Sequence, residues 1–401
     1  MRITLVAATA LTAFTTPAAA QQVDRIVAFG DSYADDNNAF GLGYNNPGAL
    51  AVYPTGRFSG GSNYIDTLGE ILQVPIENFA IGGAFGGTNN GTLCFDPPFG
   101  NNLCGRGLQY EVDQFLNVGA QSGVFPTGVA AFDEGDLLAV SIGGNDSRIY
   151  QQFGGTLAGA AAAGSAAAVG TAVQLDRLVA AGAPTISFLA GDTGRLPEIS
   201  LFPALAAIRS TFSGAFNTAL QGTLAGYASN GVMVHYLDLN TVLDNVSANP
   251  IGYGITNGLV CPLFPGNTSC VVNSSGYLFY GDALHLTSDG FDIVARYVDA
   301  QLTAPLTLQA PSEVGMNVGQ QFGRTLTARL DLSAPRDGDM PEGLNAYIVG
   351  DAFSRTIDGS RGNQPFDSDS VGITAGVDYG FGSGVIGVAA NYSKPKSNFE
   401  T

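Results

Sequence analysis

Histidine and basic residues are what this chain has least of. Only two histidines, His235 and His285, and four cysteines occur in 401 residues, so a metal centre of imidazole and thiolate has almost no ligands to draw on. Lysine is confined to Lys394 and Lys396, and 16 Lys and Arg face 34 Asp and Glu for a net charge of -18. A chain so acidic repels a phosphate backbone, which excludes nucleic acid as a partner. Charged residues make up only 12% of the sequence, and the surface must therefore draw its polar groups from Asn, Ser, Thr, Gln and Gly.

The opening segment has a single early charge at Arg2, an apolar run broken by threonines, and the small-residue stretch Pro17-Ala18-Ala19-Ala20. That pattern predicts a signal peptide over residues 1–20 with cleavage after Ala20. The run is too short and too interrupted to serve as a membrane anchor. Export makes disulfides the expected use of the cysteines. Four cysteines allow three connectivities, and pairing within the two sequence-local couples, Cys94 with Cys104 and Cys261 with Cys270, is the expectation. Each bridge would close a loop of about ten residues, for about 2–3 kcal/mol in chain-entropy terms.

Apolar β-type runs then alternate with helical stretches, the mark of a parallel sheet covered on both faces. Strands are expected at Arg25–Phe29, Pro75–Ile81, Leu137–Ile142, Thr185–Leu189 and Val232–Leu237. An Ala-rich helix is expected over about Leu157–Ala181, a second over Pro203–Ala228 and a final one over Thr287–Leu302. Five parallel strands with helical crossovers predict an α/β, flavodoxin-like three-layer fold.

Near Ala304 the texture changes. Ala304-Pro305 to Pro311 is expected as a linker and Glu313–Leu332 as a helix. Alternation then becomes strict, with Val371, Ile373, Ala375, Val377 and Tyr379 set between small or polar residues, and Ile386, Val388, Ala390 and Tyr392 likewise. An outer-membrane barrel strand has this pattern, and so does a water-soluble antiparallel sheet. A closed barrel needs at least about eight strands, and only about three or four can be counted before Thr401, so the barrel reading implies that the sequence is a fragment. The expected organisation is a signal peptide over 1–20, a catalytic domain over 21–304, a linker and helix over 305–340, and the beginning of a partial antiparallel β-domain over 341–401.

The first strand runs directly into Gly30-Asp31-Ser32, at the strand end where open α/β sheets hold ligands. Of six Gly-Asp pairs in the chain only this one is followed by Ser. The segment resembles the first block of the GDSL (SGNH) family of esterases and lipases, with Asp35 and Asn38 on the family's positions and with Asp36 and Asn37 replacing its usual small residue and Gly. The family's Gly-Arg-Phe-Ser element is present as Gly56-Arg57-Phe58-Ser59. Three further blocks follow in the family's order: Asn78-Phe-Ala-Ile-Gly-Gly83-Ala84, Gly143-Gly144-Asn145-Asp146, and Asp282-Ala-Leu-His285-Leu-Thr287, where Leu286 stands in place of the common Pro. The resemblance runs from about Ile26 to Val298.

The resemblance implies a catalytic triad of Ser32, Asp282 and His285, and an oxyanion hole made by the N–H groups of Ser32 and Gly83 and the side-chain amide of Asn145. It implies neither a metal nor an organic cofactor. The chemistry explains the residue types. A serine hydroxyl is a poor nucleophile until a base accepts its proton, and neutral imidazole is suited to that near pH 7. A carboxylate on the other ring nitrogen fixes the tautomer and stabilises the imidazolium, while donors aimed at the developing oxyanion stabilise the tetrahedral intermediate.

Plainer structural roles exist for each residue. Gly143-Gly144 makes a tight turn and Asn145 a helix cap on composition alone, Asp282 suits a cap of the final helix, and Arg57 an ion pair with an acidic loop residue. His235, inside an apolar strand, is expected as a satisfied core or sheet-edge residue rather than a catalyst. No Gly-x-Ser-x-Gly elbow frames Ser32, which argues against an ordinary α/β-hydrolase.

The leading expectation is an exported carboxylic ester hydrolase displayed at the cell surface, because Ser370–Tyr379 resembles the start of an autotransporter translocator domain in the outer membrane. Its partner is a small-molecule or lipid ester. A carbohydrate acetylesterase is the alternative within the enzyme class, and a non-catalytic surface adhesin the alternative outside it.

Overall fold

Alternate side chains of the first strand enter two different cores, and this sets the layering. In the computed structural model, which describes residues 22–87, 103–127, 130–262, 269–333, 342–360, 363–381 and 385–399, strand β1 spans Arg25–Gly30. Its Val27 and Phe29 join Leu138, Val140, Ile186 and Phe188 under the helices Leu157–Ala180 and Pro203–Ser229. Its Ile26 and Ala28 join Leu137, Ala139 and Leu237 under the helices Tyr64–Leu72, Leu239–Ala248 and Ser288–Thr307. Burial on both faces is why these strands read as continuous apolar runs.

With β2 (Ile76–Asn78), β3 (Asp136–Ser141), β4 (Thr185–Ala190) and β5 (Met233–Asp238), β1 forms a five-stranded sheet in the order β2-β1-β3-β4-β5. Every pairing in it is parallel. The chain leaves β1 in one direction to build β2 and returns past it to build β3, so the crevice for a ligand opens at the carboxyl ends of β1 and β3. Ser32 follows β1 and Asn145 follows β3 there. Gly30 and Ser141 are register partners; Gly30 has φ +132°, and a Cβ on it would lie 2.0 Å from the Ser141 carbonyl oxygen. Glycine is therefore required where the Ser32 loop leaves the sheet.

This unit, Val23–Leu302, is one of two compact units in the chain. It also holds a two-stranded parallel sheet, β6 (Gly258–Val260) with β7 (Tyr277–Phe279), beside the Cys261–Cys270 disulfide. Cys94 and the segment 1–20 lie outside the described residues, and with them the other expected bridge and the signal peptide.

The second unit, from Thr303 onward, contains the helix Gln309–Ser333 and an antiparallel meander of β8 (Gly343–Ile357), β9 (Phe366–Gly380) and β10 (Val385–Phe399), with β9 central. Apart from Phe366 at its start, the buried side chains of β9 are polar: Ser368, Ser370, Thr374 and Asp378. Its apolar Val371, Ile373, Val377 and Tyr379 are exposed, as are Ile386, Val388 and Tyr392 of β10. The helix Gln309–Ser333 bonds to the polar face, with Gln321 Nε2 donating to Asp351 Oδ1 at 3.1 Å and Arg355 Nη1 donating to Asn317 Oδ1 at 2.9 Å. Asp351 Oδ2 also accepts from Thr374 Oγ1 at 3.0 Å and Asn391 Nδ2 at 3.1 Å.

The expected linker at 304–311 is instead mostly helical. Pro305 falls in the last turn of Ser288–Thr307, where it removes one hydrogen bond to the preceding turn and the helix ends two residues later. Pro311 is third in the helix that begins at Gln309, where the N–H has no intrahelical acceptor in any case.

Candidate active site

Three side chains from two segments remote in sequence form one hydrogen-bonded chain at the carboxyl end of the sheet. His285 Nε2 lies 2.7 Å from Ser32 Oγ, and His285 Nδ1 lies 2.5 Å from Asp282 Oδ2. Ser32 and His285 are buried. The local backbone explains how residues three apart face one site. Asp282 Oδ1 accepts the N–H groups of Leu284 and His285, both at 2.9 Å, closing a turn that puts Ala283 at φ +59°. A left-handed alanine is a strained position, held here by the Ala283 N–H to the Tyr280 carbonyl at 2.9 Å and the Glu198 N–H to the Ala283 carbonyl at 3.0 Å.

The second donor to Asp282 Oδ2 is one that sequence reasoning did not single out. The Tyr53 hydroxyl donates to it at 2.5 Å. Tyr53 follows the short helix Pro47–Val52, is buried, and stacks on Tyr280 with ring centroids 5.8 Å apart. Asp282 thus accepts four hydrogen bonds. Burial works to raise its carboxyl, but the charge and hydrogen bond of His285 and the bond from Tyr53 outweigh it, and the group lies below its ordinary 3.8. Burial, then the Asp282 carboxylate, push the Tyr53 phenol well above its ordinary range, so it remains a donor. No motif in the sequence flagged Tyr53.

The remaining candidates gather around the same cleft. Gly83, at φ +82°, lines it together with Ser32, Asn145, Asp282 and His285. Asn145, buried in the first turn of the helix Gly144–Gln152, has Nδ2 3.3 Å from the Ala84 carbonyl oxygen. Gly143 just before it has φ +102°, and a Cβ there would meet the Phe216 ring at 2.5 Å. Two buried carboxylates tie these loops together. Asp35 accepts the N–H groups of Asn37, Asn38, Ala39 and Gly82, joining the loop after β1 to the one after β2. Glu111, fully buried, accepts from Gly30 at 2.7 Å and Ile81 at 3.2 Å, and it too escaped the sequence reading. Burial raises all three of Asp31, Asp35 and Glu111, Asp31 to about 7. Asn37, standing where the family usually has Gly, takes φ +107°, a region Asn enters more readily than other side chains.

Other residues take plainer roles. Arg57 pairs with Asp66. His235 lies in β5 opposite Ser187, lines neither cleft at Ser32, and is lowered by burial. Thr287 caps the final helix, its hydroxyl accepting the Gly290 N–H at 3.1 Å. Among the described residues, no group of three or more His, Cys, Asp or Glu could hold a metal ion.

A parallel-sheet hydrolase fold with its ligand crevice at the β1/β3 switch point is the class these features define. The family model described as GDSL-like Lipase/Acylhydrolase matches residues 26–298, and the chain belongs to that family of ester-hydrolysing enzymes. Similar solved structures include a carbohydrate acetylesterase family member from Sinorhizobium meliloti, at 15% identity and TM-score 0.35, covering 71% of this chain and 99% of that one. The aryl esterase of M. smegmatis, at 14% identity and TM-score 0.35, covers 70% and 100%. An extracellular lipase from Streptomyces rimosus, at 16% and TM-score 0.29, covers 55% and 82%. No curated protein matches the chain.

Proposed function

We propose that this chain is a serine carboxylic ester hydrolase working through an acyl-enzyme on Ser32. The observation that carries the reading is the unbroken sequence of contacts from Ser32 Oγ through both ring nitrogens of His285 to Asp282. Ser32 Oγ attacks the ester carbonyl carbon as its proton passes to His285 Nε2. The carbonyl oxygen, now negative, is met by the N–H groups of Ser32 and Gly83 and the Asn145 amide. As the intermediate collapses, the ester C–O bond breaks and His285 returns the proton to the leaving alcohol. Water then repeats the sequence to free the acid. Asp282 stays ionised throughout and stabilises the imidazolium, while Tyr53 acts on the reaction through Asp282 as a positioning residue.

The enzyme is exported and held at the outer membrane by its C-terminal β-unit. What supports this is the inverted sheet, with apolar side chains outward and polar ones turned to a helix, as a lipid-facing wall requires.

Ser32→Ala and His285→Ala test the enzymatic reading. Each alone is expected to abolish most turnover of an aryl ester, with the double variant little worse than either, since residues acting as a unit are non-additive. Parent-like hydrolysis by Ser32→Ala would refute it.

A further inference from the structure

Two clefts meet at Ser32 with different walls, and we infer, resting on the serine-hydrolase reading above, that they divide the substrate: an aliphatic acyl chain of about four to six carbons in one and an aromatic alcohol in the other. Both clefts are lined by Ser32, Asn145, Arg148 and Leu284, but only one contains His285. The leaving oxygen must receive its proton from His285 Nε2, so the alcohol occupies the His285 side. That side is walled by Tyr44, Tyr53 and Phe58, and its volume is about 180 Å³, room for a ring.

The acyl chain is left the other cleft, beyond the ends of β4 and β5. Leu189, Leu196, Leu239, Leu243 and Phe216 line it with Leu284. Several polar atoms in that wall bond within the protein: Asn217 Nδ2 donates to the Gly191 carbonyl at 3.0 Å, Asn240 Oδ1 accepts the Asp192 N–H at 3.2 Å, and Thr193 Oγ1 donates to Ser147 at 2.8 Å. An alkyl chain suits such a wall better than a hydroxylated ring. The cleft measures about 70 Å³, space for about five waters. A methylene is close to a water in size, which sets the upper chain length.

The test is a nitrophenyl ester series from acetate to dodecanoate with the full-length protein, beside acetylated xylose. We expect kcat/KM to rise about fourfold per added methylene, the equivalent of about 0.8 kcal/mol, to a maximum at butanoate to hexanoate. Leu243→Phe, which fills the cleft from its half-exposed side, should lower the hexanoate-to-acetate ratio at least tenfold, and Leu243→Ala should raise the octanoate-to-hexanoate ratio. On the alcohol side, benzyl butanoate should outrun ethyl butanoate, whose leaving alcohol is of similar acidity, and Tyr44→Ala should narrow that gap. A maximum at acetate, a preference for the sugar acetate, or ratios indifferent to both Leu243 variants would overturn the assignment. Ser32→Ala on the acetate ester separates the two failures: loss of turnover there with a flat chain-length profile sinks the subsites alone, whereas retained turnover sinks the serine reading beneath them.

Discussion

Replacing Tyr53 with Phe removes one oxygen and keeps the ring that stacks on Tyr280. The lost contact is a hydrogen bond to an ionised acceptor, a type that contributes about 1.5–3 kcal/mol, and Asp282 is buried enough that water replaces it poorly. Stability should therefore fall by about that amount, which for a domain this size lowers the unfolding midpoint by about 3–5 °C. The effect on turnover has a separate signature. With three donors instead of four, Asp282 draws the Nδ1 proton of His285 harder and favours the imidazolium. If about 0.7–1.4 kcal/mol of the bond is felt differentially by the two forms, the acid limb of kcat/KM moves up by about half to one pH unit. We expect kcat above that limb to fall about three- to tenfold as the carboxylate loosens, with KM for an aryl ester changed less. The assay is a pH series of initial rates paired with thermal unfolding. A variant destabilised as calculated but with a superimposable pH profile would refute the positioning role and leave Tyr53 a packing residue.

The buried Asp31 gives a pH prediction of definite sign. Its carboxyl is raised by burial from 3.8 to about 7, so the stability it permits is fully present below about pH 3.8 and lost as pH rises through 7. The unfolding midpoint should accordingly be higher at pH 5 than at pH 8, and Asp31→Asn should flatten that slope; an unchanged slope in the variant contradicts the burial argument. Asn145→Ala should cut kcat about 10²–10³-fold with little change in substrate binding, because its amide is aimed at charge present only in the transition state; an equal rise in KM with kcat intact would assign it to ground-state binding. A chain ended after Ala304 should fold and hydrolyse soluble esters, since all the site residues precede that point, and insolubility of it beside an active full-length protein would count against the division.

The sheet was legible because a strand buried on both faces leaves an uninterrupted apolar run: β1, β3 and β4 begin and end within one residue of where those runs do, and so does the half-buried β5. The second strand was less so, because Phe79, Ala80 and Ile81 are as apolar as a strand yet already belong to the loop that carries Gly83. Helices with a mixed surface, such as Tyr64–Leu72 and Gly144–Gln152, went unread, although Asn63 and Asp66 form a capping box that announces the first. Proline misled at 304–311, where position within the helix turn mattered more than residue type. Alternation in β9 fixed which residues share a face but not which face meets solvent, since that depends on the helix that bonds to Asp351 and Arg355 on the polar face. At the site, motif order singled out Ser32, Gly83, Asn145, Asp282 and His285. Tyr53 and Glu111 were invisible because they act through long-range hydrogen bonds, spanning 229 residues from Tyr53 to Asp282 and 81 from Glu111 to Gly30, which leave no spacing pattern.

The central claim is that Ser32 is acylated during turnover, and covalent trapping reads it most directly. Incubation with an alkyl fluorophosphonate, followed by intact-mass measurement and peptide mapping, should give a single adduct per chain on the peptide containing Ser32, in step with loss of esterase activity, and none in Ser32→Ala. An adduct on another residue that tracks the loss of activity, or inactivation of Ser32→Ala at the parent's rate, would contradict the account.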